Sequence, residues 1–357
     1  MGCEGARLRG VIPLEHLLGN DHSFYNHQQT EITKLILDHK CKQTITRMIS
    51  EHVTDWLGFP VKLFNSELSE EAVEDYTNTI YRLALDWDSE VDFPTLFSRF
   101  IANPNSRKTP AIIIGQFHQD DPTGGSAEVV QLLVSAQAQL PNLRGIFLGD
   151  LISEENEISW IVQTDVSPLL LAYPSLEHLR LRGTGELSLG GRLVHEKLKS
   201  LTIETGGLPP ALIQEVFSSK FPALESLELW LGTPSYGGEV AVADLQPLLS
   251  GSLFPALKHL GLRDSEIVNE IAEALSSAQI LSRLDSLDLS LGTLSDEGGK
   301  ALLENPALKR LKRLDLHRHY LSKQLMTVLK REFPGVNVEE PQGSDTSADD
   351  RYVAVGE

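Results

Sequence analysis

The stretch Phe254-Pro255-Ala256-Leu257-Lys258-His259-Leu260-Gly261-Leu262 carries the pattern on which the fold turns. Proline stops the preceding helix and extends the chain, and apolar residues then follow at the spacing Leu-x-x-Leu-x-Leu, with Leu260 and Leu262 at the alternation of a strand. The same block stands at Leu143/Ile146/Leu148, Leu176/Leu179/Leu181, Leu198/Leu201/Ile203, Leu224/Leu227/Leu229, Leu284/Leu287/Leu289 and Leu311/Leu314/Leu316. Successive copies begin 33, 22, 26, 33, 27 and 27 residues apart. Two degenerate copies, Ile80/Leu83/Leu85 and Ile112-Ile113-Ile114, precede them, so nine strands are expected. An aromatic or Leu followed by Pro introduces three further blocks, at Leu140-Pro141, Tyr173-Pro174 and Phe221-Pro222.

Between blocks the periodicity changes from that of a strand to that of a helix. Ile267, Val268, Ile271 and Leu275 form one stripe, and Leu212, Ile213, Val216 and Phe217 another. Ser295 before Asp296 and Glu297 reads as an N-cap with an acidic first turn. One strand-helix unit cannot bury its leucines alone, whereas stacked units pair their strands and merge their cores. The expected fold class is therefore α/β: a leucine-rich-repeat solenoid with a curved parallel sheet on its concave side and helices on its convex side.

On these residues the chain resembles leucine-rich-repeat proteins of the ribonuclease-inhibitor-like class. More narrowly, Leu143-Arg144-Gly145-Ile146-Phe147-Leu148-Gly149-Asp150, Glu157-Ile158-Ser159-Trp160-Ile161, Leu229-Trp230-Leu231-Gly232 and Leu314-Asp315-Leu316-His317-Arg318-His319-Tyr320 resemble an uncharacterised, largely bacterial family of cytoplasmic leucine-rich-repeat proteins. That resemblance covers roughly residues 53–335 and implies no established activity. The asparagine that closes each turn in the general pattern is replaced by Leu151, Thr184, Gly206, Gly232, Ser265, Gly292 and His319. The turns must then be closed by glycine geometry or small hydroxyls.

The ends differ from the middle. Residues 1–55 are expected to form a helical extension or cap, with Ile32, Leu35, Ile36, Ile45, Met48 and Ile49 on an apolar side. Residues 56–335 make the solenoid. A short edge strand at Val336-x-Val338 opens residues 336–357, whose Pro, Gly, Ser, Asp and Glu predict an acidic, disordered tail.

With 50 acidic against 31 basic residues, a net charge of -19, the chain repels phosphate backbones, which argues against nucleic acid. No apolar run is long enough for a membrane span, and no signal-peptide pattern opens the chain. Two cysteines, Cys3 and Cys41, build no disulfide framework, which points to a cytoplasmic protein. Met1-Gly2-Cys3 resembles an acylated start, but Ala6 stands where myristoylation wants Ser or Thr.

Alternation places the third and fifth residues of each block, and the residue after it, on the concave face. Phe147, His178, Arg180, Arg182, Glu204, Glu228, Trp230 and Arg263 then form an aromatic and charged patch of the type enriched in protein interfaces. The same charges could instead pair with one another across the sheet. Two long inter-strand segments, 149–166 and 230–242, map to rim loops. In the first, Trp160 is expected in the core of a longer helix.

Asp315, His317 and His319 would share one strand face, and a His-x-His pair is a common zinc arrangement. His319, however, occupies the turn position, where a hydrogen bond to turn backbone is the expected role. No metal or cofactor is expected. The function read from these residues is a non-catalytic scaffold for a protein partner. The alternatives are a regulator of a small GTPase and a metal-dependent hydrolase using Asp315 and His317.

Overall fold

A computed structural model describes residues 49–65, 75–118 and 124–356. These lie in a compact unit spanning Met48–Glu357. The helix expected around Ile32 to Met48, Cys3, Cys41 and the Gly2-Cys3 start fall outside the described residues.

Each Leu block forms a strand whose leucines sit in register with the next block. Starting from the N-terminal side, the sheet runs β1 (Asp55–Trp56), β2 (Phe59–Phe64), β3 (Ile80–Leu83), β4 (Ala111–Ile114) and β5 (Gly145–Leu148). It continues through β7 (His178–Arg182), β9 (Ser200–Glu204), β10 (Ser226–Gly232), β11 (His259–Ser265), β12 (Ser286–Asp288), β13 (Arg313–Asp315) and β14 (Val336–Asn337). All pairings from β2 onward are parallel. Ile112, Ile146, Leu179, Leu201, Leu227, Leu260, Leu287 and Leu314 form one continuous inward row across eight strands. None is more than 2% exposed. Each fully buried leucine contributes roughly 1.5–3 kcal/mol, and the row makes that burial mutual.

The helices cover the other side of this core. They are α1 (Phe93–Ala102), α2 (Ala127–Ser135), α3 (Ser167–Ala172), α4 (Pro210–Ser218), α5 (Val242–Leu249), α6 (Val268–Ala274), α7 (Asp296–Glu304) and α8 (Lys323–Glu332). From α2 to α8, sequence neighbours such as α6 and α7 pack side by side, apart from α3 and α4. The stripes bury as their spacing requires: Leu212, Ile213 and Val216 on α4, and Val268, Ile271 and Leu275 on and beside α6. Ser295 caps α7 by accepting the Glu297 N–H. The result is an open α/β leucine-rich-repeat solenoid.

Glycine and strained residues close the turns. Gly183, Asp264, Leu291 and Arg318 each lie two residues beyond the last leucine of their block, and each has a left-handed backbone, φ +112, +51, +71 and +59. The reversal sends the chain off the sheet toward its helix. Thr205 and Thr293 hydroxyls add bonds to the backbone oxygens of Trp230 and Ser265.

Four features depart from the sequence reading. Leu57 and Gly58, both with positive φ, make a two-residue hairpin turn between β1 and β2, two strands ahead of the first one expected, at Ile80. The 149–166 segment forms no long helix. Instead it makes a short turn at Ile158–Trp160 and strand β6 (Val162–Asp165), which pairs with β8 (Thr184–Ser188) in a separate two-stranded sheet. Trp160 is 56% exposed, and Ile158 takes the buried place. Finally, residues 339–350 are mostly exposed, as their composition implies, but Val353, Ala354 and Val355 are buried against the solenoid.

Gly183 tests the turn geometry. A Cβ there would lie 2.3 Å from the Ile161 carbonyl oxygen, on a backbone that L-residues rarely adopt. Gly183→Ala should therefore destabilise the fold by about 2–4 kcal/mol, read as a lower urea midpoint at unchanged slope.

Candidate functional site

The face opposite the helices is assembled by cross-strand pairing. His178, Ser200, Ser226, His259, Ser286 and Arg313 form one row across β7 to β13. Arg180, Thr202, Glu228, Gly261, Asp288 and Asp315 form the next. Arg182 pairs with Glu204, and Trp230 with Arg263, at the ends of their strands.

The face is open over only part of its length. Over β3 to β5, the residues Ile80, Ala111, Ile113 and Phe147 are packed under Val53, Trp56, Leu57, Phe59 and Val61 of the β1–β2 hairpin. Phe147, read from the sequence as a surface contact, is fully buried, with the Trp56 ring centroid 6.1 Å away. Gly145 makes this cover possible, because a Cβ there would lie 2.8 Å from Leu57 Cδ1. The hairpin thus converts the N-terminal third of the concave face into core.

Beyond it opens a cleft of about 290 Å3, walled by Trp56 and Leu57 and floored by His178, Arg180, Thr202, Glu228, Trp230 and Arg263. A second hollow of about 310 Å3 continues it through Glu228, Arg263, His259, Ser286, Asp288, Asp315 and His317. Glu228 and Arg263 belong to both, so the two are one groove along β7 to β13.

Part of the predicted patch is tied into ion pairs at one end of this groove. Glu204 is buried and accepts from Arg182 Nε and Arg180 Nε, each at 2.7 Å. Arg182, also buried, donates through Nη1 to the Leu151 carbonyl and stands 3.6 Å from Asp150 Oδ1. Asp150 in turn receives Arg82 Nε at 3.0 Å. Arg180 and Arg182 both lie over the Phe147 ring, at 4.3 and 5.2 Å. Arg182 and Glu204 thus form a buried cross-strand ion pair. Arg180 keeps a quarter of its side chain exposed.

Around the groove's midpoint, Glu228 accepts from Trp230 Nε1 at 2.8 Å and Arg263 Nη1 at 2.7 Å, with His259 Nε2 3.9 Å away. Burial alone would raise the Glu228 carboxyl, but His259, Arg263 and Trp230 hold it well below the usual carboxylate range. Arg263 lies 5.0 Å over the Trp230 ring and also donates to Ser290. His259 Nδ1 lies 2.7 Å from Ser286 Oγ. These fixed charges present paired donors and acceptors to whatever enters.

The residues considered for metal part company. Asp315 holds His317 Nδ1 at 2.7 Å and Arg313 Nη2 at 2.6 Å, and it also accepts from Asn337. His319 is fully buried, its Nδ1 accepting the Leu321 N–H and its Nε2 3.2 Å from the Val338 carbonyl oxygen. The left-handed backbone of Arg318 breaks the alternation, so His319 turns inward and cannot share a ligand face with His317. Among the described residues, no group of three or more His, Cys, Asp and Glu could hold a metal ion.

Sequence reasoning missed a separate hollow, of about 350 Å3, beside His52, Arg82, Trp87, His118 and Glu155. His52 Nε2 lies 3.2 Å from Glu155 and its Nδ1 3.6 Å from Asp150. Burial pushes the His52 pKa down, but the neighbouring carboxylates of Asp150 and Glu155 outweigh it and lift it to about 9. Only Arg82, on β3, belongs to a repeat block; the others reach it from segments outside the strands, which no period along the chain marks.

No protein-family model matches the sequence, and no curated protein matches it. Among solved structures, a Bacteroides fragilis protein determined as a structural-genomics target is 32% identical, with a TM-score of 0.69 over 73% of this chain and 74% of its own. An internalin from Listeria monocytogenes aligns at 14% identity and a TM-score of 0.30, over 76% of this chain and 56% of its own.

Two predictions follow from the charges. Glu204→Gln leaves Arg180 and Arg182 without their shared carboxylate and should cost about 3–5 kcal/mol in urea unfolding. For His52 the folded pKa lies above the unfolded value of about 6.5. Its contribution to stability is therefore complete below that pH and is lost as pH rises through about 9. His52→Ala should flatten the fall in unfolding free energy between about pH 7 and 10. Identity at this level over about three quarters of both chains places the protein in the same family as the Bacteroides fragilis protein, on a leucine-rich-repeat solenoid.

Proposed function

We propose that the protein is a non-catalytic scaffold that holds a segment of a protein partner in the groove between Trp56 and His317. The observation that carries this reading is the groove itself. It is continuous over β7 to β13 and lined by an aromatic ring, arginines and carboxylates already fixed in mutual bonds. Pre-organised Trp and Arg side chains are the groups that dominate protein interfaces, since little side-chain entropy remains to be lost on binding. His178, Arg180, Glu228, Trp230 and Arg263 would touch the partner, while Phe147, Arg182 and Glu204 hold that surface in shape.

The net charge of -19 favours a protein over a nucleic acid. No helix among the described residues is long and apolar enough to cross a membrane. We place the protein in the cytoplasm, on its low cysteine content, and in the ribonuclease-inhibitor-like class, on its strand-plus-helix units.

Thr202 lies in the groove floor between β7 and β10 and is half-buried. Thr202→Arg should fill the groove without breaking an ion pair. With a partner captured from the native source and then purified, it should weaken binding at least about tenfold. Leu171→Glu, on an exposed position of α3, should leave binding unchanged. Wild-type affinity in Thr202→Arg removes the concave groove from the proposal.

A further inference from the structure

After a run of mostly exposed, polar residues from 339 to 350, the chain buries three residues in succession, Val353, Ala354 and Val355. Ala354 and Val355 do not pack on the last repeat but against Ile49, Ile158, Trp230 and Leu291. The chain turns back along the stacking direction and crosses the ends of the strands.

Each step of this crossing is held by a different repeat. Tyr352 is bracketed by Tyr320, whose hydroxyl donates to the Tyr352 carbonyl at 3.2 Å and accepts its N–H at 3.1 Å. Ala354 N–H donates to the Leu291 carbonyl at 2.7 Å. Val355 N–H donates to Asp264 Oδ1 at 2.9 Å. The Gly356 carbonyl accepts from Ser159 Oγ at 3.1 Å. The turns of β13, β12 and β11 thus read the backbone of 352–355 in order, and the 149–166 rim segment takes 356. Recognition is through the main chain, as in strand addition, while small apolar side chains fill the floor.

The floor is formed by Ile49, Ile158, Trp230 and Leu291, which cluster with Ala354 and Val355. Asp264 is fully buried, and Val355 supplies it with an N–H. Leu291 and Asp264 both adopt left-handed backbones, the conformation that aims the Leu291 carbonyl and the Asp264 side chain at the crossing segment.

We infer that this rim, built from Asp264, Leu291, Tyr320, Ser159 and Trp230, is a recognition site for an extended peptide with small apolar side chains, and that segment 352–356 is its ligand, bound in cis. It is distinct from the concave groove, although Trp230 borders both. A segment joined by an exposed polar linker can leave without unfolding any repeat, because its anchors are turns and not strands. Release uncovers Trp230 and Leu291 and opens the site.

The test uses the full chain. Ala354→Asp with Val355→Asp puts charges into the apolar floor and should release the segment. A fluorescent peptide of sequence 346–357 is then titrated into wild-type and variant protein. The variant should bind it one to one, and the wild type at least about tenfold more weakly, because its own segment already fills the site. The amides of Tyr352, Ala354 and Val355 should exchange slowly in the wild type and fast in the variant. A variant that unfolds normally and binds the peptide no better than the wild type overturns the inference and leaves the segment a structural strap. Should the double variant lose cooperative unfolding, Val355→Pro serves in its place. It removes the N–H given to Asp264 and fixes φ while keeping an apolar side chain in the floor, and the same two outcomes decide.

Discussion

Parallel pairing in strict register is the constraint on which the molecule depends. Because side chains alternate along a strand, a slip of one residue between neighbours would send a block's leucines to the open face. The row from Ile112 to Leu314 shows that no such slip occurs across eight strands. Each repeat is stable only against its neighbours, so the core is one continuous object running from Phe64 to Val338. Everything on the concave side inherits its spacing from that register.

The open face of such a sheet needs polar groups that do not collapse onto each other. The first strands avoid the problem by hiding under the β1–β2 hairpin, so Phe147 and its neighbours become core. At the boundary, Asp150, Arg182, Glu204 and Arg180 form a chain of contacts that satisfies buried charge with opposite charge. Ion pairs of this type gain little net stability over apolar side chains, but losing one partner is costly, so they fix geometry. The groove past them carries charge already held in place.

The C-terminal strand ends are used differently. Repeated left-handed turns at Asp264, Leu291 and Arg318 leave the sheet with backbone and side-chain groups aimed along its edge. Segment 352–356 takes up such groups at three successive repeats. A solenoid thus presents two surfaces of different chemistry: a floor of side chains and a rim of turn groups.

The repeat blocks, their nine strands and the helical stripes were legible because each is a local pattern imposed by burial with period 2 or 3.6. Composition also marked 339–350 as polar, and alternation placed Arg180, Glu228, Trp230 and Arg263 on one face. It did not show that Arg182 and Glu204 are buried, that His319 turns inward past Arg318, that Trp160 is exposed, or that Val353–Val355 dock. Those outcomes depend on chain segments far apart in sequence meeting in space: the hairpin at residues 55–64 over β5, Asp150 under Arg182, and the tail across Leu291. Local patterning by itself determined which residues seek the core; only tertiary packing decided which of the remaining surface was left open, because coverage is set by contacts that have no period along the chain.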